Sequence, residues 1–134
     1  MAEPKILNIS DAPSRAMRWD RGTQIRLVGP EIGANNLDVH INVINTDSGP
    51  GPYHVHEKAE NVYIVLEGTA EAVVAGKRYR IGPDQVAFIP PGVPHGAGSD
   101  GSGPVRVIEV YAPAGQDFHI LPDPEGVVDA DDPS

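Results

Sequence analysis

The chain contains no cysteine. Disulfides, thiolate nucleophiles, zinc fingers and iron–sulfur clusters are therefore excluded together, since each needs that side chain. Cations are also scarce: 10 Lys and Arg stand against 19 Asp and Glu, a formal net charge of −9. That balance repels a phosphate backbone and an anionic lipid surface, so neither nucleic acid nor membrane is expected as a partner. No apolar run approaches membrane-spanning length, and the segment Met1-Ala-Glu-Pro-Lys-Ile-Leu lacks the basic cluster and apolar core of a secretory signal. A cytoplasmic location is the corresponding expectation. No serine sits in a GxSxG elbow and no GxxxxGK[ST] loop occurs, which leaves hydrolase and nucleotide readings unsupported.

Helical patterning is missing as well, for no window of a dozen residues places apolar side chains at i, i+3, i+4 and i+7. What recurs instead is short segments rich in Val, Ile and Tyr between Gly, Pro and Asp clusters, in a chain with 15 Gly, 14 Pro and 40% hydrophobic residues. Strands are predicted over 23–28, 37–45, 53–56, 61–67, 69–75, 77–81, 85–89 and 105–111. This number and spacing points to an all-β sandwich or barrel. The length of 134 residues suits one domain over 1–134. It divides into an N-terminal arm of about 1–20 containing Trp19, a barrel core of about 21–113, and a C-terminal extension of about 114–134. The N-terminal segment is expected to be an arm or an extra strand, packed on the barrel or on a partner subunit. The acidic, cation-free stretch from Asp123 to Ser134 reads as a solvated tail.

His54-Val55-His56 follows the stiff turn Ser48-Gly49-Pro50-Gly51-Pro52. Residues two apart on a strand share a face, so both imidazoles aim at one point. Pro90-Pro91-Gly92-Val93-Pro94-His95 presents a third imidazole just beyond another rigid turn. An isolated HxH pair is most often an accident of the surface. The second element shifts the balance toward a three-histidine site for one divalent transition metal: Fe, Mn, Zn, Ni or Cu.

The span from His54 to Gly68 resembles the first cupin motif, an HxH followed by an acidic residue and a closing glycine. The span from Gly82 to His95 resembles the second, ending in PxGxxH, and Val105 to Pro113 is similar to the strand that usually follows. The resemblance implies a double-stranded β-helix, or jelly-roll barrel, with a metal in its open mouth held by His54, His56 and His95. It also implies a small-molecule substrate and a homodimer. Cupins usually place a Glu seven residues before the closing glycine, a position that falls on Asn61 here, with Glu60 beside it. Strand alternation turns only one of the two inward: Asn61 in regular register, Glu60 if a bulge intervenes. With Asn61, the full charge of the metal would remain and anionic oxygen ligands would bind more strongly. Asp84 and Ser99 also depart from the family pattern, at positions where glycine and asparagine are common.

Asp38, His40 and Asn42 alternate with Val39, Ile41 and Val43. By default that polar face meets water. In a barrel with a polar mouth it would meet substrate, with His40 as a spare general acid or base. Glu109 and Tyr111 share a face of their strand; inward, they could serve as general base and proton donor. Tyr53, Tyr63 and Phe88 are expected to fill the core, and His119 to be structural. The function implied is a metal-dependent small-molecule enzyme. A mononuclear dioxygenase is preferred because a three-histidine centre suits O₂ activation at iron or copper. The alternatives are a metal-dependent isomerase, epimerase or cyclase, and a non-catalytic cupin that binds a sugar or carboxylate.

Overall fold

The computed structural model describes residues 3–115 and 117–130. Its strands are β1 (Ser14–Ala16), β2 (Gly22–Val28), β3 (Asp38–Ile44), β4 (His54–Val55), β5 (Glu60–Glu67) and β6 (Ala70–Val74), followed by β7 (Lys77–Ile81), β8 (Val86–Ile89), β9 (His95–Ser99), β10 (Val105–Ala112), β11 (His119–Ile120) and β12 (Val128–Asp129). They form two six-stranded sheets, β1-β2-β3-β10-β5-β8 and β11-β4-β9-β6-β7-β12. All pairings are antiparallel except β7 with β12. This is the double-stranded β-helix, or jelly roll. The only helices among the described residues are three short 3-10 turns, none long and apolar enough to cross a membrane.

Strand register explains how the interior is graded. In the first sheet, Ile44 lies opposite Val105, and Asn42 and Val65 both lie opposite Val107. His40 and Tyr63 flank Glu109, and Asp38 and Asn61 flank Tyr111. Every one of these side chains faces inward, because alternate residues share a face. The rows therefore run from apolar at one end to polar at the other. Ile44, Tyr63, Val65, Ala70, Ile89, Val105 and Val107 form the buried apolar cluster. The opposite end holds the titratable groups.

All eight predicted strands are present, with ends displaced by at most a residue or two. β1 is the extra strand that the arm allowed for, pairing with β2, whereas β9, β11 and β12 were not anticipated. β9 reads His-Gly-Ala-Gly-Ser and has no apolar alternation, yet its glycines are what allow it to pack. A Cβ on Gly98 would overlap the Gly49 carbonyl oxygen, and one on Gly96 would lie 2.9 Å from the Pro52 carbonyl oxygen. The turn carrying His54 thus rests directly on the strand carrying His95. Gly96 to Gly101 also spells GxGxxG, but in a strand and turn with no following helix, so it cannot present a helix N-terminus to a dinucleotide.

Three further expectations need correction. The polar face of β3 is not solvated: Asp38, His40 and Asn42 are all buried, because two neighbouring strands bring complementary groups to the same row. Phe88 is 56% exposed, since Ala87 and Ile89 take the inward positions of edge strand β8. Tyr63 does enter the core, and Tyr53 is half-buried. The acidic tail is also partly built into the fold, with β12 pairing along β7 and Asp129 accepting from Arg78 Nη1 at 3.0 Å. Residues 131–134 lie outside the described residues.

Candidate functional site

His54 and His56 flank Val55 on one face, and the antiparallel pairing of His54 with His95 brings in the third ring. Their ligand atoms all lie within 4.8 Å of one another, and all three residues are buried. Each Nδ1 faces a backbone carbonyl: His54 to Pro52 at 2.8 Å, His56 to Asp117 at 2.5 Å, His95 to Val93 at 2.9 Å. A carbonyl only accepts, so each Nδ1 carries the proton and each Nε2 keeps its lone pair for the interior. Burial, then the neighbouring His95, lowers His54 to about 4, and burial lowers His95 as well. His95 Nε2 is buried with no partner among the described residues. Three neutral imidazoles with inward lone pairs, one of them orphaned, fit a single divalent transition metal.

Asn61 is fully buried and Glu60 is exposed on the other face of β5. The Asn61 amide nitrogen stands 3.2 Å from His56 Nε2 and donates to Glu109 Oε2 at 3.0 Å. Its Oδ1 is buried without a partner among the described residues, while the amide nitrogen is the atom turned toward the histidine cluster.

A charged row continues from Glu109. Its Oε1 accepts from His40 Nε2 at 2.7 Å and from Asn42 Nδ2 at 3.2 Å. His40 Nδ1 donates to Asp38 Oδ1 at 2.8 Å, and Asp38 is clamped by both Arg26 Nη atoms at 2.9 and 2.6 Å. Tyr111 donates its hydroxyl to Asp38 Oδ2 at 3.0 Å. Burial alone would discharge His40, but its hydrogen bonds and charge pairing with Glu109, then Asp38, raise its pKa. Burial alone would likewise raise the Glu109 carboxyl, yet the bond and charge of His40, with Asn61 and Tyr63, hold it well below the usual carboxylate range. The result is an imidazolium between two carboxylates. Burial and then the Asp38 charge push the Tyr111 phenol up, so at rest it is a weak acid that steadies Asp38.

His40, Asn42, Glu109 and Tyr111 of this row, with His54 and His56, line a cavity of about 680 Å³. Residues 43–111, just over half the chain, match the family model described as the cupin domain. The chain belongs to the cupin family. Its fold is also that of the polyketide cyclase RemF from Streptomyces resistomycificus, at TM-score 0.75 and 24% identity over 92% of this chain and 89% of that one. A sugar phosphate isomerase from Silicibacter pomeroyi matches at TM-score 0.68 and 20% identity, over 83% and 76%. The nucleoside dehydratase Pac13 matches at TM-score 0.69 and 12% identity, over 89% and 92%. No curated protein sequence matches this cupin.

Sequence reasoning missed the part of the C-terminal extension that completes the site. The Asp117 carbonyl orients His56, while its carboxylate accepts the backbone N–H groups of Glu57, Lys58 and Ala59 at 2.9, 2.8 and 3.0 Å. Those donors overcome the effect of burial and lower the carboxyl to about 2. Phe118 stacks on His54, ring centroids 4.2 Å apart, and Arg18 lies over Phe118 at 4.9 Å. His119 is an exposed partner of Asp117 at 3.2 Å. An Asp followed by an aromatic residue carries no recognisable signal until the fold brings it to the barrel mouth. On the N-terminal side, Trp19 and Asp20 both have left-handed backbone, φ 58° and 53°, which turns the arm sharply at that mouth.

Proposed function

We propose that this cupin is a metal-dependent enzyme that moves protons on a small oxygen-bearing substrate, within the isomerase, epimerase or cyclase range of chemistry. The observation that carries this reading is the buried Asp38–His40–Glu109 row, joined to the histidine cluster through the Asn61 amide. His54, His56 and His95 would hold the ion, with the Asn61 side-chain amide beside it. When bound, such an ion supplies Lewis acidity, which polarises a substrate oxygen and makes adjacent protons more acidic.

The chain's own groups do the rest. Glu109 takes the substrate proton on a carboxylate oxygen and returns it at another substrate atom. His40 holds a positive charge against Glu109 throughout. Arg26 and Tyr111 fix Asp38, which fixes His40, so the base does not reorient between steps. The low resting pKa of Glu109 makes it a base only toward a proton already acidified, which restricts it to activated substrates. Among the relatives named above are a cyclase and an isomerase, which agrees with this range.

Solvent-deuterium exchange into enolisable keto and hydroxy acids, followed by NMR, tests this reading. Glu109→Gln should keep its metal and lose exchange by about 10²- to 10⁴-fold. Exchange at the unmutated rate in that variant would refute the role.

One observation favours a second reading. The three imidazoles contain no carboxylate among them, a donor set suited to O₂ activation at iron or copper. Oxygen uptake by iron-loaded protein with phenols or diketones would support a dioxygenase; turnover without oxygen consumption would exclude it.

A further inference from the structure

Acidic residues outnumber basic ones 19 to 10, yet Arg15, Arg18 and Arg21 all line the cavity that His54 and His56 also line. Among the described residues only two carboxylates line it, Glu109 and Asp117, and both are engaged, by His40 and by the 57–59 backbone amides. Among the described residues, none of the three arginines forms an ion pair.

Arg21 is the most informative of them. It is half-buried, its Nη2 donates to the Ala97 carbonyl at 2.7 Å and its Nε to the Ser48 carbonyl at 3.3 Å. Both acceptors are neutral, so a desolvated positive charge faces the cavity without a counter-charge, and Nη1 has no acceptor among the described residues. Burial accordingly depresses its pKa. An isolated half-buried guanidinium is costly unless an anion completes it. Arg15 and Arg18 extend the positive field outward, Arg18 over the Phe118 ring that stacks on His54. Ile44, Val65, Ile81 and Val107 supply an apolar part of the same lining.

We propose that the substrate is an amphipathic carboxylic acid, with its carboxylate seated on Arg21 beneath Arg15 and Arg18 and its apolar body against Ile44, Val65 and Val107. This names the substrate class of the site described above and rests on that reading only for where the chemistry occurs. A guanidinium–carboxylate pair in such a position adds about tenfold or more in affinity over a neutral isostere.

The probes are 2-naphthoate and its neutral counterpart 2-naphthalenemethanol, titrated calorimetrically into the protein as purified, with metal content measured on the same samples. Naphthoate should bind about tenfold more tightly, and its affinity alone should fall with added salt. Arg21→Gln should erase the preference at unchanged metal content, Arg18→Gln should reduce it, and Arg80→Gln, outside the cavity, should leave it intact. Thermal unfolding establishes that each variant is folded. Should Arg21→Gln fail to fold, the Arg18→Gln result decides. Equal binding of both probes, no naphthoate binding, or a preference that survives the arginine changes overturns the proposal. The last outcome would put the carboxylate on the metal instead. Loss of proton exchange in Glu109→Gln is read independently, so either reading can fail alone.

Discussion

At the scale of single residues, two histidines in one barrel are driven in opposite directions. In metal-free protein, His54 stays neutral down to about 4, whereas an unfolded histidine protonates near 6.5. Below about 6.5 the unfolded chain binds that proton first, so stability falls as pH drops from about 6.5 through about 4. His40 behaves inversely. Its folded pKa is raised, so its contribution is complete below 6.5 and is lost as pH rises through the folded value. NMR of the ring protons should show the two midpoints on either side of 6.5; a shared midpoint there would contradict the network. Asp117 invites a different test. Asp117→Ala frees the 57–59 amides and loosens the loop that steers His56, so competition with a chelator should show metal affinity reduced about tenfold or more. An unchanged affinity would mean that His56 needs no such support.

At the scale of elements, β9 joins the two histidine turns, and its glycines are the reason it can. Gly98→Ala forces the 49–52 turn off the strand and should cost about 2 kcal/mol or more in thermal or denaturant unfolding. A change below about 0.5 kcal/mol would show that the turn can give way. The same strand marks the limit of what was legible. The alternating segments announced themselves, and the strand over 77–81 was placed to the residue, because period-2 burial leaves a direct trace in β-branched and aromatic spacing. His-Gly-Ala-Gly-Ser leaves none, since close backbone approach selects for missing side chains. Parity placed Asn61 and Glu60 on opposite faces and Glu109 with Tyr111 on one. It could not tell inside from outside for β3, because burying a polar row depends on partners supplied by other strands, Arg26 on β2 and Glu109 on distant β10. The role of the 117–118 segment depends on the same kind of distant partner.

At the scale of the molecule, the jelly roll separates an apolar end from a polar one and opens the polar end between two chain extensions. The arm brings Arg15 and Arg18, the C-terminal segment brings Asp117 and Phe118, and the histidines lie beneath both. Net charge works against anions at long range while the cavity favours them at short range. Added salt should therefore weaken binding at the mouth less steeply than three arginines alone would suggest. The enzymatic reading of this cupin depends on one claim, that His54, His56 and His95 hold a metal. Elemental analysis of protein purified without chelators, compared with His54→Ala prepared in parallel, tests it most directly. The expected result is about one divalent transition metal per chain, lost in the variant. A metal-free native protein, or a His54→Ala variant that retains its full metal complement, would contradict it.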